Sequence, residues 1–172
     1  MRVFRKKDGG IVQLIDKEKM SEWPVELPLI FIEYIRNNKL DTYNDATVKR
    51  EVNKYLDEIL KEVAIPRLIS VLKGNYPEEI ISALSRIENI SKKNIELARP
   101  IKPYLTNLLK NKNKQIAKLA KDITDNFAKA DRRKKLAKKR KIMQQKEKDF
   151  LAGKINGEEY AKTRKEYLTL KG

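Results

Sequence analysis

Apolar positions in the first fifteen residues alternate loosely around Lys7-Asp8-Gly9-Gly10, with Val3 and Phe4 before the turn and Ile11, Val12, Leu14 and Ile15 after it. Asp-Gly between two such runs predicts a β-hairpin, because glycine takes a positive φ without steric cost. A lone hairpin is only marginally stable. Residues 1–20 are therefore expected to lie on a helical body or on a partner.

From Trp23 onward the apolar spacing becomes three and four. Pro24 and Pro28 suit a helix entry, and Leu27, Ile30, Phe31, Tyr34 and Ile35 predict a helical face that stops at Asn37-Asn38. Behind Asn44 and Asp45 as cap candidates, Val48, Val52, Tyr55, Leu56, Ile59, Leu60 and Val63 predict a second amphipathic helix. Pro66 interrupts that run. Proline lacks an N–H donor and clashes with the preceding turn at a cost of roughly 3 kcal/mol, so a kink or a new helix is expected there.

The middle of the chain repeats itself. Ile65 to Gly74 matches Lys102 to Asn111 at proline, Leu, Val/Leu, Leu and Lys with an offset of 37, and each copy is followed by a second periodic segment: Ile80, Ala83, Leu84 and Ile87, then Ile116, Leu119, Ala120 and Ile123. Helix, short polar turn and helix at such a period predict a short α-solenoid, an all-α fold class, with Leu68, Leu72, Leu105 and Leu109 facing the inter-helix core. On these residues the segment from Glu58 to Ala128 resembles the HEAT repeat family, through its proline, its leucine-rich first helix and the small residue at Ala83 or Ala120. It departs from that family where Gly74-Asn75 and Asn111-Lys112 stand in place of the inter-helix Asp, and where Ile80-Ile81 and Ile116-Ala117 replace Val-Arg. The resemblance implies a HEAT-like domain over 21–128 that presents surfaces to partners and does no chemistry. Because a solenoid needs about three units, the helices of 24–38 and 45–63 would supply a divergent first one.

Beyond Phe127 the apolar stripe thins to Leu136, Met143 and Phe150, one residue per heptad, where a coiled coil needs two. Residues 129–148 are expected to form a projecting basic helix, firm only when bound. Gly153 then offers a left-handed C′ position, Asn156 a cap, and Glu158-Glu159 a complement to the next helix dipole. With Leu151, Ile155 and Tyr160, these residues resemble the short carboxyl-terminal helical hairpin called the SHOCT domain, over about 149–172. That resemblance implies self-association or docking, with Ile155, Tyr160 and Leu168 as protein-interaction residues.

Composition narrows the chemistry. The 172 residues contain no cysteine and no histidine, which removes disulfides, thiolate and imidazole metal ligands, and every Ser-His or Cys-His pair. No metal site, cofactor or small-molecule substrate is expected, since no glycine-rich phosphate cradle occurs and the pairs Asp57-Glu58, Glu78-Glu79 and Glu158-Glu159 are sequence neighbours that diverge by about 100° on a helix. These pairs read instead as helix starts or solvated faces. Trp23 is either a surface anchor or a core or cap residue. The longest apolar stretch, Leu27 to Ile32, is broken by Pro28 and too short for a bilayer, so a soluble, cytoplasmic, non-enzymatic protein is expected.

Charge gives the functional expectation. Arg132 to Lys141 holds eight basic residues in ten, and Lys129 to Lys148 carries eleven Lys/Arg against two acidic residues, a net of +9 out of +16. Ser21 to Ile90 runs the other way, nine basic against twelve acidic. Such density repels itself until a polyanion neutralises it. Between Ala128 and Asp149 there is no aromatic residue, which disfavours base stacking and favours phosphate contact with folded RNA or duplex. The expected nucleic-acid-binding set is Lys129, Arg132, Arg133, Lys134, Lys135, Lys138, Lys139, Arg140 and Lys141, with structured RNA or a ribonucleoprotein such as the ribosome as partner. A protein-only scaffold or self-assembly module is the competing expectation. A membrane-surface role is weakened by the meagre apolar face of Leu136, Ala137, Ile142 and Met143.

Overall fold

In the computed structural model, which describes residues 1–171, the chain divides into two compact units, Met1–Thr124 and the segment from Asp125 onward. The first begins with β1 (Arg2–Arg5) and β2 (Ile11–Leu14), paired antiparallel with Phe4 opposite Val12. Gly9 stands at φ +84°. The Gly9 amide donates to the Lys6 carbonyl at 3.2 Å and the Lys6 amide to the Gly10 carbonyl at 2.7 Å, a turn followed by a bulge in which a side chain at position 9 would be strained. Phe4, Val12 and Leu14 are buried on one face while Val3 and Ile11 point to solvent, the period of two that a half-buried ribbon requires.

The hairpin is docked on α2 (Ala46–Ile59). Phe4 meets Tyr55 at 5.8 Å between ring centroids, the Tyr55 hydroxyl donates to the Ile15 carbonyl at 2.8 Å, and the Lys7 amide donates to Asp45 at 2.8 Å. Asp45 also caps α2, accepting from the amides of Thr47 at 2.8 Å and Val48 at 3.3 Å. The expected cap thus serves two elements.

α1 (Leu27–Tyr34) buries a face rotated from the one its spacing predicts, which holds at Ile35 just beyond the helix and, half-buried, at Phe31. Pro28, Leu29, Ile32 and Ile35 are buried, whereas Leu27, Ile30 and Tyr34 are 38%, 48% and 50% exposed. The helix is apolar on nearly every side, so two interleaved three-and-four spacings coexist and periodicity alone selects neither. The helical path also passes through Asn37-Asn38, as a π turn over Ile35–Lys39 and a 3-10 turn over Leu40–Thr42. Trp23 is half-buried with its ring edge-on to Phe31 at 5.9 Å.

At Pro66 the helical run continues. A π turn over Leu60–Ala64 joins α2 to α3 (Ile65–Leu72), and the Ile65 amide donates to the Leu60 carbonyl five residues back. The wider turn makes room where the proline ring would strike the preceding carbonyl and where its missing N–H leaves no bond to lose. It also rotates the register, so that Leu60, Ala64 and Ile65 are buried and Val63 is only half-buried. Arg67 on α3 reaches back to the 3-10 turn of Lys17–Glu22 and its exit, donating to the carbonyls of Met20 and Trp23, both at 2.7 Å, and of Ser21.

α3 packs on α4 (Pro77–Lys93), which has Glu78 and Glu79 in its first turn and Lys92 and Lys93 in its last, complementing the dipole at both ends. α5 (Ile95–Ala98), a 3-10 turn and α6 (Lys102–Leu108) follow. Leu68, Leu72 and Leu105 are buried as the repeat predicts, but Leu109 is 39% exposed and Leu108 is buried in its place. The reason is local: α6 ends at Leu108, and its buried line runs through Ile101, Leu105 and Leu108, a face rotated from that of Ile65, Leu68 and Leu72. α7 (Lys114–Leu151) contributes to both units, burying Ile116, Ala120 and Ile123 in the first, and α8 (Gly157–Lys171) belongs to the second. The architecture is all-α with an amino-terminal β-hairpin. Among the described residues no helix is long and apolar enough to cross a membrane.

Candidate nucleic-acid interface

The second unit is an antiparallel helical hairpin made by the carboxyl-terminal part of α7 and by α8. Its turn is built from the residues the pattern singled out. Gly153 stands at φ +69°, its amide donates to the Phe150 carbonyl at 3.0 Å, and the Lys154 amide donates to the Asp149 carbonyl at 2.8 Å, which closes α7 with a Schellman motif. Asn156 accepts from the Glu159 amide at 2.9 Å and caps α8.

The two helices are held by a thin mixed seam. Leu136 and Met143 of α7 and Tyr160, Thr163, Tyr167 and Leu170 of α8 are half-buried, and between Ala128 and Lys171 no residue is fully buried. Phe150 stacks on Tyr160 with centroids 5.4 Å apart and planes 7° from parallel, and the Tyr160 hydroxyl donates to Glu147 at 3.4 Å. Ion pairs Lys139–Glu166 and Lys146–Glu159 cross the seam. The hydrogen bond from Lys139 holds the Glu166 carboxyl below its ordinary range. Ile155 is half-buried in the turn and Tyr160 lies in the seam, but Leu168 is 50% exposed on the outer side of α8.

Placement of the basic set follows from about 100° per residue. The seam occupies the side of α7 that carries Leu136, Lys139, Met143 and Lys146; Lys134, Lys138 and Lys141 fall roughly opposite, with Arg133 and Arg140 on one flank and Lys135 on the other. Lys129 and Arg132 precede Leu136 by two turns and one turn on the seam side, and both are exposed. All of the set is exposed except Lys139, which is half-buried and paired with Glu166. The hairpin therefore draws Lys139 into an ion pair across the seam.

Folding also brings in residues that a reading of the basic run alone misses. Lys162 and Lys165 of α8 line a common groove with Lys135 and Lys139 of α7. The signal was present in the chain, since a turn at Gly153 sets an antiparallel register that carries residues near 165 back to those near 139.

The first unit has a larger cavity, about 790 Å³, between α1, α2, α4 and α5. Both of its arginines are paired. Arg36 pairs with Asp57 at 2.5 Å and donates to Asn53 at 3.1 Å, and Arg86 pairs with Glu26 at 3.1 Å. Among the described residues no group of three His, Cys, Asp or Glu is placed to hold a metal ion. No family model matches the chain, and the comparisons with curated proteins and with solved structures returned no match.

Proposed function

We propose that this chain is a non-enzymatic α-helical adaptor, HEAT-like in its first unit, that binds structured RNA on a ribosome or another ribonucleoprotein through the basic part of α7. The observation that carries the reading is the run from Arg132 to Lys141, eight cations in ten residues, all exposed but Lys139, with no aromatic from Lys129 to Lys148. Lysine and arginine side chains displayed around a helix suit phosphates and 2′-hydroxyls presented by a folded RNA, which is recognised by shape and backbone rather than by stacked bases. A cytoplasmic location belongs to the same proposal.

Reversing Arg132, Arg133, Lys134 and Lys135 to Glu is expected to release the protein from ribosomal fractions in sedimentation while circular dichroism stays unchanged. Retention of the variant on those fractions overturns the reading. The second reading is a protein scaffold acting through the terminal hairpin, favoured by Leu151 at 79% exposure and Leu168 at 50%. It predicts that replacing Ile155, Tyr160 and Leu168 with Ser, and not the charge reversal, releases the protein or turns an oligomer into a monomer.

A further inference from the structure

The hairpin fold gathers four lysines from distant parts of the sequence. Lys135 and Lys139 from α7 face Lys162 and Lys165 from α8 across a groove of about 470 Å³ that also contains Glu166 and Thr169. Glu166 is the one negative group in the lining, and Lys139 engages it. Lys135, Lys162 and Lys165 form no ion pair among the described residues. The Glu166 carboxyl is lowered by Lys139 and, by charge alone, by Lys162, so one carboxylate stands against four ammonium groups around one groove, and the excess positive charge favours entry of an anion. No aromatic side chain lines the groove, so it offers nothing for a base to stack on, while lysine grips phosphate as a compact point charge.

We propose that this groove is a phosphate-binding site for the backbone of duplex RNA, so that the nucleic-acid contact is made by α7 and α8 together. The inference rests on the RNA-binding reading above and deepens it. α8 then supplies cations as well as the brace that holds α7, and Glu166 keeps Lys139 in place at the groove wall while the other three lysines meet phosphates.

The test compares two pairs of neutralising variants with equal charge loss in the full chain: Lys162→Gln with Lys165→Gln inside the groove, and Lys154→Gln with Lys171→Gln outside it. Binding to an RNA duplex of about 16 base pairs is followed by fluorescence anisotropy across a salt series. The groove pair is expected to reduce the magnitude of the slope of log K against log salt by about 1.4 to 1.8, two phosphate contacts' worth, and the outer pair by less than half of that. Lys162→Arg with Lys165→Arg is expected to restore the slope. Equal effects from the two Gln pairs overturn the site and leave the RNA reading standing, because net charge alone then explains the loss. A wild-type chain that does not bind the duplex overturns both. Binding to phosphatidylserine vesicles that is tighter than to duplex and equally dependent on Lys162 and Lys165 overturns RNA as the occupant.

Discussion

At the scale of single residues, burial separates positions that hydrophobicity treats alike. Leu105 is buried and Lys110 and Leu109 are exposed, so Leu105→Ala is expected to cost about 2 to 5 kcal/mol in urea unfolding, and Lys110→Ala and Leu109→Ala no more than about 0.5 to 1. Equal losses at Leu105 and Leu109 would mean that α6 is rotated from the position described. Asp45 gives a pH dependence with a definite sign. The Lys7 amide first, and then the amides of Thr47 and Val48, hold its carboxyl below the usual carboxylate range. A depressed folded value means that its contribution is present above the unfolded value near 4 and is lost as pH falls through the lower folded one. The amino-terminal ammonium depresses Asp16 in the same direction at 2.7 Å. Amides of β1 and β2 are therefore expected to lose hydrogen-exchange protection in acid before those of α4, and Asp45→Asn to weaken that difference; simultaneous loss in both regions contradicts the assignment. The cap at Asp45 was legible in the sequence, whereas the bond to Lys7 was not, since it joins elements 38 residues apart.

At the scale of elements, turns and caps were the most legible features because their causes are local. Gly9 and Gly153 adopt the positive φ that their contexts predict, and Asn156 and Asp45 cap the helices that follow them. The helical faces were legible only where polar residues broke the symmetry. α2 has a clear polar side and its buried line was correct as far as Leu60, while α1 has almost none and its face was right only at Ile35 and in part at Phe31. The two π turns were invisible to a fixed spacing of 3.6, and the one over Leu60–Ala64 changes which residues point inward. Gly153→Ala tests the hairpin directly. Nothing lies within 4 Å of the added methyl, so the cost is conformational, about 1 to 2 kcal/mol, and should appear as lost helicity in α8 on mild heating. No change on heating would mean that the Schellman turn does not govern the hairpin.

At the scale of the whole molecule, charge is divided as the fold is divided. The first unit pairs some of its charges between elements, as Lys17 does with Glu62 at 2.6 Å and Arg36 with Asp57, whereas α7 beyond Asp125 displays most of its cations to solvent. Net charge and its location were legible from composition. The convergence of Lys162 and Lys165 on Lys135 was signalled only indirectly, by the turn at Gly153 that sets the antiparallel register of two helices, and not by any local run. The measurement that tests the central claim most directly is the salt dependence of binding of the full chain to a structured RNA. If α7 and α8 neutralise phosphates, log K falls linearly with log salt, with a slope of magnitude about 4 or more for six contacts at about 0.7 to 0.9 each. An affinity that stays flat between low and physiological salt contradicts the account.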